Sequence, residues 1–378
     1  MATIESYVTQ SGKRYMVRYR KPDRTQTKKR GFKTKRDAEA FSATVEVSML
    51  RGEYIDPTLA NATVTDLGPG WLERKRQLKA SSYRPLEIAW RLYVEPMWGK
   101  RPISSILYSE VQAWVTTLTV GEPKAKPPVK AKSATTVIRA YGVLAGILDD
   151  AVKDRRLLAN PTRGVDLPRK KKKAHIFLSH EQVRDLADVS KYPALVRVLA
   201  YCGLRWGEAT ALRVQDVDMI RRRLGVEQNA VDVGGKIVVG TPKNHKKRSV
   251  PFPAFLDAAL GEACKGKHRE DLVFPGPTGT YLRYTDMRED KMSWFASAVK
   301  KSGVPRITPH DLRHTAASFA VSAGANVKAV QKMLGHSSAA MTLDVYAELF
   351  DDDLDGVAIA LNDAVSQLSV PKACPKTA

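Results

Sequence analysis

The sequence predicts a multidomain α+β protein: a small N-terminal three-stranded sheet plus a helix, then a helical domain, then a mixed, mainly α-helical domain with a small antiparallel sheet. Three observations carry this. Tyr15-Met16-Val17-Arg18-Tyr19-Arg20 alternates with the period of two that marks a half-buried strand. Residues 65–168 follow helical spacing, clearest as an amphipathic stretch over Val137–Val152. Beyond residue 174, apolar helical runs are interrupted by a strand-like pair between Lys236 and Pro251. A chain of 378 residues also exceeds what one core organises, which stops growing near roughly 250–300 residues.

Charge narrows the function class before any motif does. The chain has 62 Lys and Arg against 40 Asp and Glu, a formal net charge of +22. That favours a polyanionic partner, and nucleic acid over a membrane surface, because no basic amphipathic helix with bulky apolar residues stands out. No run approaches the ~18–20 apolar residues of a membrane span. Met1-Ala2-Thr3-Ile4-Glu5 opens without an apolar stretch, so no secretory leader is expected. Cys202, Cys264 and Cys374 are odd in number and far apart, which argues against a disulfide framework or a Cys-based zinc site and fits a reducing cytoplasm.

Residues 1–64 hold 13 basic against 7 acidic residues, net +6. In the first strand Tyr15, Val17 and Tyr19 share one face, and Arg18 and Arg20 the other. Lys21-Pro22-Asp23 reads as a turn, Lys28-Lys29-Arg30-Gly31-Phe32 as further strand, and Asp37 as the start of a helix carrying Phe41, Val45 and Met49. Lys13 to Arg36 contains twelve basic residues and one acid. Such a run is ordinarily a solvated face; interleaved with aromatics on a small sheet, it points to contact with DNA through Arg18, Arg20, Lys28, Lys29 and Arg30.

Residues 65–173 hold 22 basic against 10 acidic residues, net +12. Trp71, Leu72, Trp90, Leu92 and Trp98 mark one helical half, and Val137–Val152 the other, ending at Asn160-Pro161. Between the halves lies a Pro/Lys-rich loop, Glu122 to Lys132. Arg169 to Lys173, RKKKK, reads as a linker; Lys170, Lys171 and Lys172 are candidate DNA contacts, a solvated hinge is the plainer reading, and a nuclear address is a third.

The remainder, residues 174–378, carries 27 basic against 23 acidic residues and is close to neutral, yet it holds the motifs with chemistry in them. An apolar helix with Leu195, Val198 and Leu199 runs into Cys202-Gly203-Leu204-Arg205-Trp206-Gly207-Glu208. A helix-ending glycine lets the chain turn and present Arg205, with Glu208 one turn on and placed to hold it. Lys236–Lys243 and Arg248–Pro251 read as a β-hairpin with a basic tip, Asn244 to Lys247. Thr308-Pro309-His310-Asp311-Leu312-Arg313-His314-Thr315 opens an amphipathic helix that Gly324 closes, and His310, Arg313 and His314 share a face at i, i+3 and i+4. A short helix, Asn326 to Leu334, ends in Gly335-His336, and a third helix carries Tyr346. Taken singly, each has an ordinary reading: a paired surface Arg, a charged turn, a structural His, a packed Tyr.

The ordered set Arg205, Lys243, His310, Arg313, His336, Tyr346, in the motifs CGLRWGE, TPK, HDLRHT and MLGH with Tyr346 ten residues after His336, resembles the tyrosine recombinases, the phage integrase family. It is similar to the arm-binding lambda type, of an actinobacterial phage or prophage. The resemblance implies an arm-type DNA-binding domain at 1–64, a helical core-site-binding domain at 65–168, a basic linker at 169–176, a catalytic domain at 177–350 and a tail at 351–378 passed to a neighbouring protomer. It implies cleavage and rejoining of DNA strands by Tyr346 through a 3′-phosphotyrosyl bond, with Arg205 and Arg313 on the phosphate, Lys243 as general acid, His310 moving the phenol proton, His336 donating to the phosphate and Glu208 supporting Arg205. Lys246 and Lys247 remain alternatives to Lys243.

The partners so implied are double-stranded DNA at core-type and arm-type sites, three further copies in a homotetramer, a host DNA-bending protein and a directionality factor. The setting is the cytoplasm of a bacterial host, at the nucleoid, with no membrane, no cofactor and no metal. Guanidiniums supply the positive charge that magnesium provides at many phosphoryl-transfer sites. Three alternatives compete. A type IB topoisomerase shares the cleavage chemistry; a regulator that only binds DNA leaves the six residues a coincidence; a zinc hydrolase on His310 and His314 lacks a third ligand and has Asp311 where Glu is required.

Overall fold

The computed structural model describes residues 2–124, 128–170, 175–242, 247–285, 293–340, 342–343, 361–362 and 365–366. The chain divides into two compact units, 1–171 and 172–378.

The first unit contains two hydrophobic cores. Strands β1 (Thr3–Thr9), β2 (Gly12–Arg20) and β3 (Gln26–Phe32) form an antiparallel meander with β2 in the centre. Helix α1 (Lys35–Leu50) follows, its first turn capped by the Thr34 hydroxyl, which accepts from the Asp37 amide at 3.1 Å. Val17, Tyr19, Ala38 and Val45 are buried between sheet and helix, with Phe41 and Met49 packed beside them. Each fully buried side chain of this size contributes about 1.5–3 kcal/mol. The predicted alternation therefore holds: Val17 and Tyr19 face the helix, Arg18 and Arg20 the open side.

After a single turn of helix, α2 (Pro57–Ala60), come α3 (Val64–Arg74) and α4 (Ala80–Ala89), the latter running through a π-helical turn, Trp90–Val94, into α5 (Glu95–Trp98). Helices α6 (Tyr108–Val120) and α7 (Ala134–Lys153) complete this bundle. Thr63 and Asp66 cap α3 reciprocally. Gly68 is required inside α3, because a Cβ there would stand 2.1 Å from the Trp90 ring. Trp71, Leu72, Trp90 and Trp98 are buried as the sequence suggests, whereas Leu92 is exposed. The predicted end of the long helix needs correction: α7 stops at Lys153, with Asp154 as its C-cap, not at Asn160-Pro161. Asn160 instead ties the returning chain down, its amide donating to the Ala145 carbonyl at 2.9 Å and to Asp149 at 2.7 Å.

The second unit is mainly helical. Helices α8 (His180–Asp188), α9 (Pro193–Cys202), α10 (Trp206–Ala209), α11 (Asp257–Cys264), α12 (Trp294–Ser302), α13 (Pro309–Ser322) and α14 (Val327–Leu334) carry its core. Helix α9 is central: Leu195, Val196, Val198, Leu199 and Ala200 are all fully buried. The predicted hairpin is also corrected. Strand β7 (Lys236–Gly240) pairs with β6 (Asn229–Val233), while β8 (Arg248–Pro251) pairs with β5 (Arg223–Val226) beside the short β4 (Val217–Asp218). The two segments thus belong to different sheets, and Val226 opposite Arg248 closes a register that encloses the β6–β7 ribbon.

Candidate active site

Helix α9 ends at Gly203, in the left-handed region (φ 64°, ψ 26°), where a Cβ would lie 2.7 Å from Leu334. That turn delivers Arg205 to the N-terminus of α10. Glu208 accepts from the Arg205 backbone amide and from its Nη1, both at 2.9 Å. The Glu208 side chain is fully buried. Burial alone would raise its pKa, but hydrogen bonds and charge from Arg248, with the charge of Arg205, outweigh it and bring the carboxyl to about 2.

Arg248 is the residue that sequence reading missed. From the first position of β8 its Nη1 and Nη2 reach Glu208 Oε1 and Oε2 at 3.0 and 2.6 Å, a two-pronged pairing. Its Nε donates to the Met333 carbonyl at 3.1 Å. Nothing in the local pattern RSVP marks it, because both partners are distant in sequence.

Helix α13 begins with Thr308, whose amide and hydroxyl donate to Asp311 Oδ2 at 2.7 and 2.8 Å. Asp311 is therefore a helix cap. One turn in, Arg313 is buried, with 2% exposure, and donates to the Gly203 carbonyl from Nη1 and to the Leu334 carbonyl from Nη2, the latter at 2.6 Å. Helix α14 ends at Gly335, left-handed at φ 65°. Arg205 Nη2 donates to the Gly335 carbonyl at 3.2 Å. Three guanidiniums thus take three consecutive carbonyls at the negative end of α14: Arg248 that of Met333, Arg313 that of Leu334, Arg205 that of Gly335.

His336 follows directly, its Nδ1 3.0 Å from the Thr342 hydroxyl. Burial, then the charges of Arg313 and Arg205, lower its pKa to about 4. His310 is exposed on the first turn of α13, with its ring 4.9 Å from that of His314. His314 in turn lies 4.2 Å from His175, which the sequence reading did not single out. Among the described residues, no group of three or more His, Cys, Asp or Glu could hold a metal ion.

Of the six predicted catalytic residues, Arg205, Arg313 and His336 meet around the end of α14, and His310 stands on the same turn of α13 as Arg313. Lys243 and Tyr346 lie outside the described residues, as does Lys246. Lys247 pairs with Glu227 at 2.8 Å.

The predicted DNA contacts of the first unit divide by face. Arg18 opposes Lys28 in the sheet register, Arg20 opposes Gln26, and Met16 opposes Arg30, so Arg18, Arg20, Lys28 and Arg30 share the open face with Arg14. Arg18 also pairs with Glu5 at 3.2 Å. Lys29 opposes Val17 and faces the helix side, its ammonium 4.5 Å from the centre of the Phe41 ring. Lys170 is exposed; Lys171 and Lys172 lie outside the described residues. No helix among the described residues is long and apolar enough to cross a membrane.

Residues 176–352 match the Phage integrase family profile. The integrase of Mycobacterium phage D29 is 27% identical over 330 residues, covering 83% of this chain and 84% of that protein. Among solved structures, the Tn1549 transposon integrase in complex with a circular intermediate DNA superposes with a TM-score of 0.63 at 22% identity, over 75% of this chain and 94% of that one. A lambda integrase tetramer bound to a Holliday junction superposes with a TM-score of 0.56 at 14% identity, over 88% and 96% of the respective chains.

Proposed function

We propose that this chain, a tyrosine-type site-specific recombinase with a phage integrase domain at residues 176–352, integrates, and in the reverse direction excises, a phage or mobile-element genome through a 3′-phosphotyrosyl intermediate. The observation that carries the reading is the convergence of Arg205, Arg313 and His336 on the last turn of α14. Two forked guanidiniums and a neutral imidazole form a cradle for one phosphate.

The chemistry follows. The phenolic oxygen of Tyr346 attacks the scissile phosphorus and displaces the 5′ oxygen, conserving the energy of the broken bond in the phosphotyrosine. Arg205 and Arg313 hold the nonbridging oxygens as negative charge builds there. Lys243 protonates the leaving 5′ oxygen and His310 assists removal of the phenol proton. His336, held through Nδ1 by Thr342, donates from its ring to a nonbridging oxygen, and Glu208 keeps Arg205 in place. The freed 5′-hydroxyl of one strand then attacks the phosphotyrosine of a partner strand and reseals it.

Residues 1–64 grip arm-type DNA with the open face of the sheet, residues 65–168 grip the core site, residues 177–350 carry the chemistry and residues 351–378 reach a neighbouring protomer of a tetramer. The basic sheet favours an integrase over a type IB topoisomerase. A host DNA-bending protein and a directionality factor complete the assembly, on the nucleoid in the bacterial cytoplasm. Incubation with nicked attachment-site DNA, then denaturing electrophoresis, tests the reading: wild type forms a covalent adduct and Tyr346→Phe forms none. Equal adducts from both would remove Tyr346 from the mechanism.

A further inference from the structure

The structure assigns a positioning residue to this reaction beyond the six named above: we infer that Arg248, by holding both oxygens of the buried Glu208 carboxylate and the last turn of α14 at once, fixes the direction in which the Arg205 guanidinium points. The inference rests on the reading of Arg205 as a phosphate ligand.

A fully buried carboxylate beside one arginine pairs with it through both oxygens, since the guanidinium fork matches that geometry. Here Arg248 takes that two-pronged position, with Nη1 to Oε1 at 3.0 Å and Nη2 to Oε2 at 2.6 Å. Arg205 is left a single side-chain contact to Oε1, at 2.9 Å, and one to the Gly335 carbonyl, at 3.2 Å. Those two bonds engage two of the five N–H groups of the Arg205 guanidinium. The remaining donors can turn outward: the Arg205 side chain is 23% exposed and that of Arg248 only 11%. Exposure and bonding together divide the labour. Of these two, Arg205 is the one with donors left to meet a ligand, and Arg248 is the one that sets its aim.

The third contact of Arg248 links this pair to the rest of the cradle. Its Nε donates to the Met333 carbonyl, one residue before the carbonyl that holds Arg313 and two before the carbonyl that holds Arg205. The side chain packs so closely on this turn that a Cβ at Gly335 would meet its Nε at 3.0 Å and its Cδ and Cζ at 3.1 Å. Any shift of Arg248 therefore moves both the carboxylate behind Arg205 and the turn that carries His336.

Without Arg248, Glu208 turns both oxygens to Arg205 and draws that guanidinium away from the phosphate. Single-turnover cleavage of nicked DNA by the full-length protein, DNA affinity by gel shift and melting temperature should be measured for wild type, Arg248→Met, Arg248→Lys and Arg248→Met combined with Glu208→Gln. Arg248→Met is expected to slow cleavage about 100-fold, the scale of a small misplacement of a catalytic group, with DNA affinity unchanged. Arg248→Lys falls between, since one ammonium cannot span both oxygens and the carbonyl, and the double variant cleaves faster than Arg248→Met because the buried charge is gone. Wild-type cleavage by a folded Arg248→Met or Arg248→Lys overturns the inference, and so does a parallel fall of rate, affinity and melting temperature in both. If wild type itself forms no adduct, the cradle reading fails and this inference with it; a normal wild-type adduct with no effect at Arg248 sinks the inference alone.

Discussion

His175 and His314 stand ring to ring, 4.2 Å between centroids, at the edge of the cluster that His310 joins at 4.9 Å. Burial first, then the charges of His310 and His175, push the His314 pKa down to about 3, while that of His336 falls to about 4. Both rings are neutral in the folded protein near pH 7.

A stability profile follows with a definite sign. In the unfolded chain both imidazoles titrate near about 6.5, so below that pH the unfolded state binds more protons than the folded one. The stabilisation is complete above pH 6.5 and is lost as pH falls from there toward 4 for His336 and 3 for His314. Glu208, lowered to about 2, loses its contribution only in a window from its ordinary value of 4.5 downward. Thermal melts between pH 7.5 and pH 5 therefore report the histidines, and His314→Gln should flatten the decline; an unaltered slope contradicts the assignment.

Gly335→Ala should hurt catalysis more than folding. A side chain in the left-handed region costs roughly 1–2 kcal/mol, and here the new Cβ would also press on Arg248 at 3.0 Å. Denaturant melts should show the modest loss, and the cleavage assay a larger one. Full activity with reduced stability would show that the Arg248 contact is slack.

The sheet supplies a test by contrast. Lys28→Ala and Arg30→Ala remove cations from the open face, whereas Lys29→Ala removes one that lies over Phe41 on the other side. If the open face meets phosphates, each of the first two lowers the slope of log K against log salt by about one, roughly the effect of one lost phosphate contact. Lys29→Ala should leave that slope unchanged. Equal effects from all three would mean that the sheet register does not select the DNA face.

Trp98 is fully buried and meets Trp114 edge to face at 5.7 Å. Trp98→Ala should destabilise the helical bundle by about 3–5 kcal/mol, as large aromatic truncations do. A calorimetric scan of the full chain that shows no lowered transition would be inconsistent with this packing.

What could be read from the sequence was local. The alternation at Tyr15–Arg20, the helical spacing through α7, the glycine after Cys202 and the i, i+3, i+4 spacing of α13 depend on neighbours within one turn or one strand, and each has its place in the structure. What was misread was non-local. The residues of β7 and β8 mark them as strands but do not say which partner each takes, and both pair outside the expected hairpin. Arg248 escaped for the same reason: Glu208 is 40 residues away and Met333 is 85. Asn160-Pro161 read as a helix end because X-Pro disfavours helix, yet α7 had already ended at Lys153.

The crowding of three arginines at the end of α14 has an electrical consequence. Arg205, Arg248 and Arg313 set against the single carboxylate of Glu208 leave a formal charge of +2, with His336 neutral. A phosphodiester arrives with about one negative charge, and the five-coordinate phosphorus that forms during attack carries roughly two. On the proposed chemistry, these four side chains, counted apart from the Lys243 that hands its proton to the leaving oxygen, are therefore unbalanced when no DNA is bound, still unbalanced with intact DNA, and balanced only while the bond is changing hands. Together they are matched to the shortest-lived species they meet.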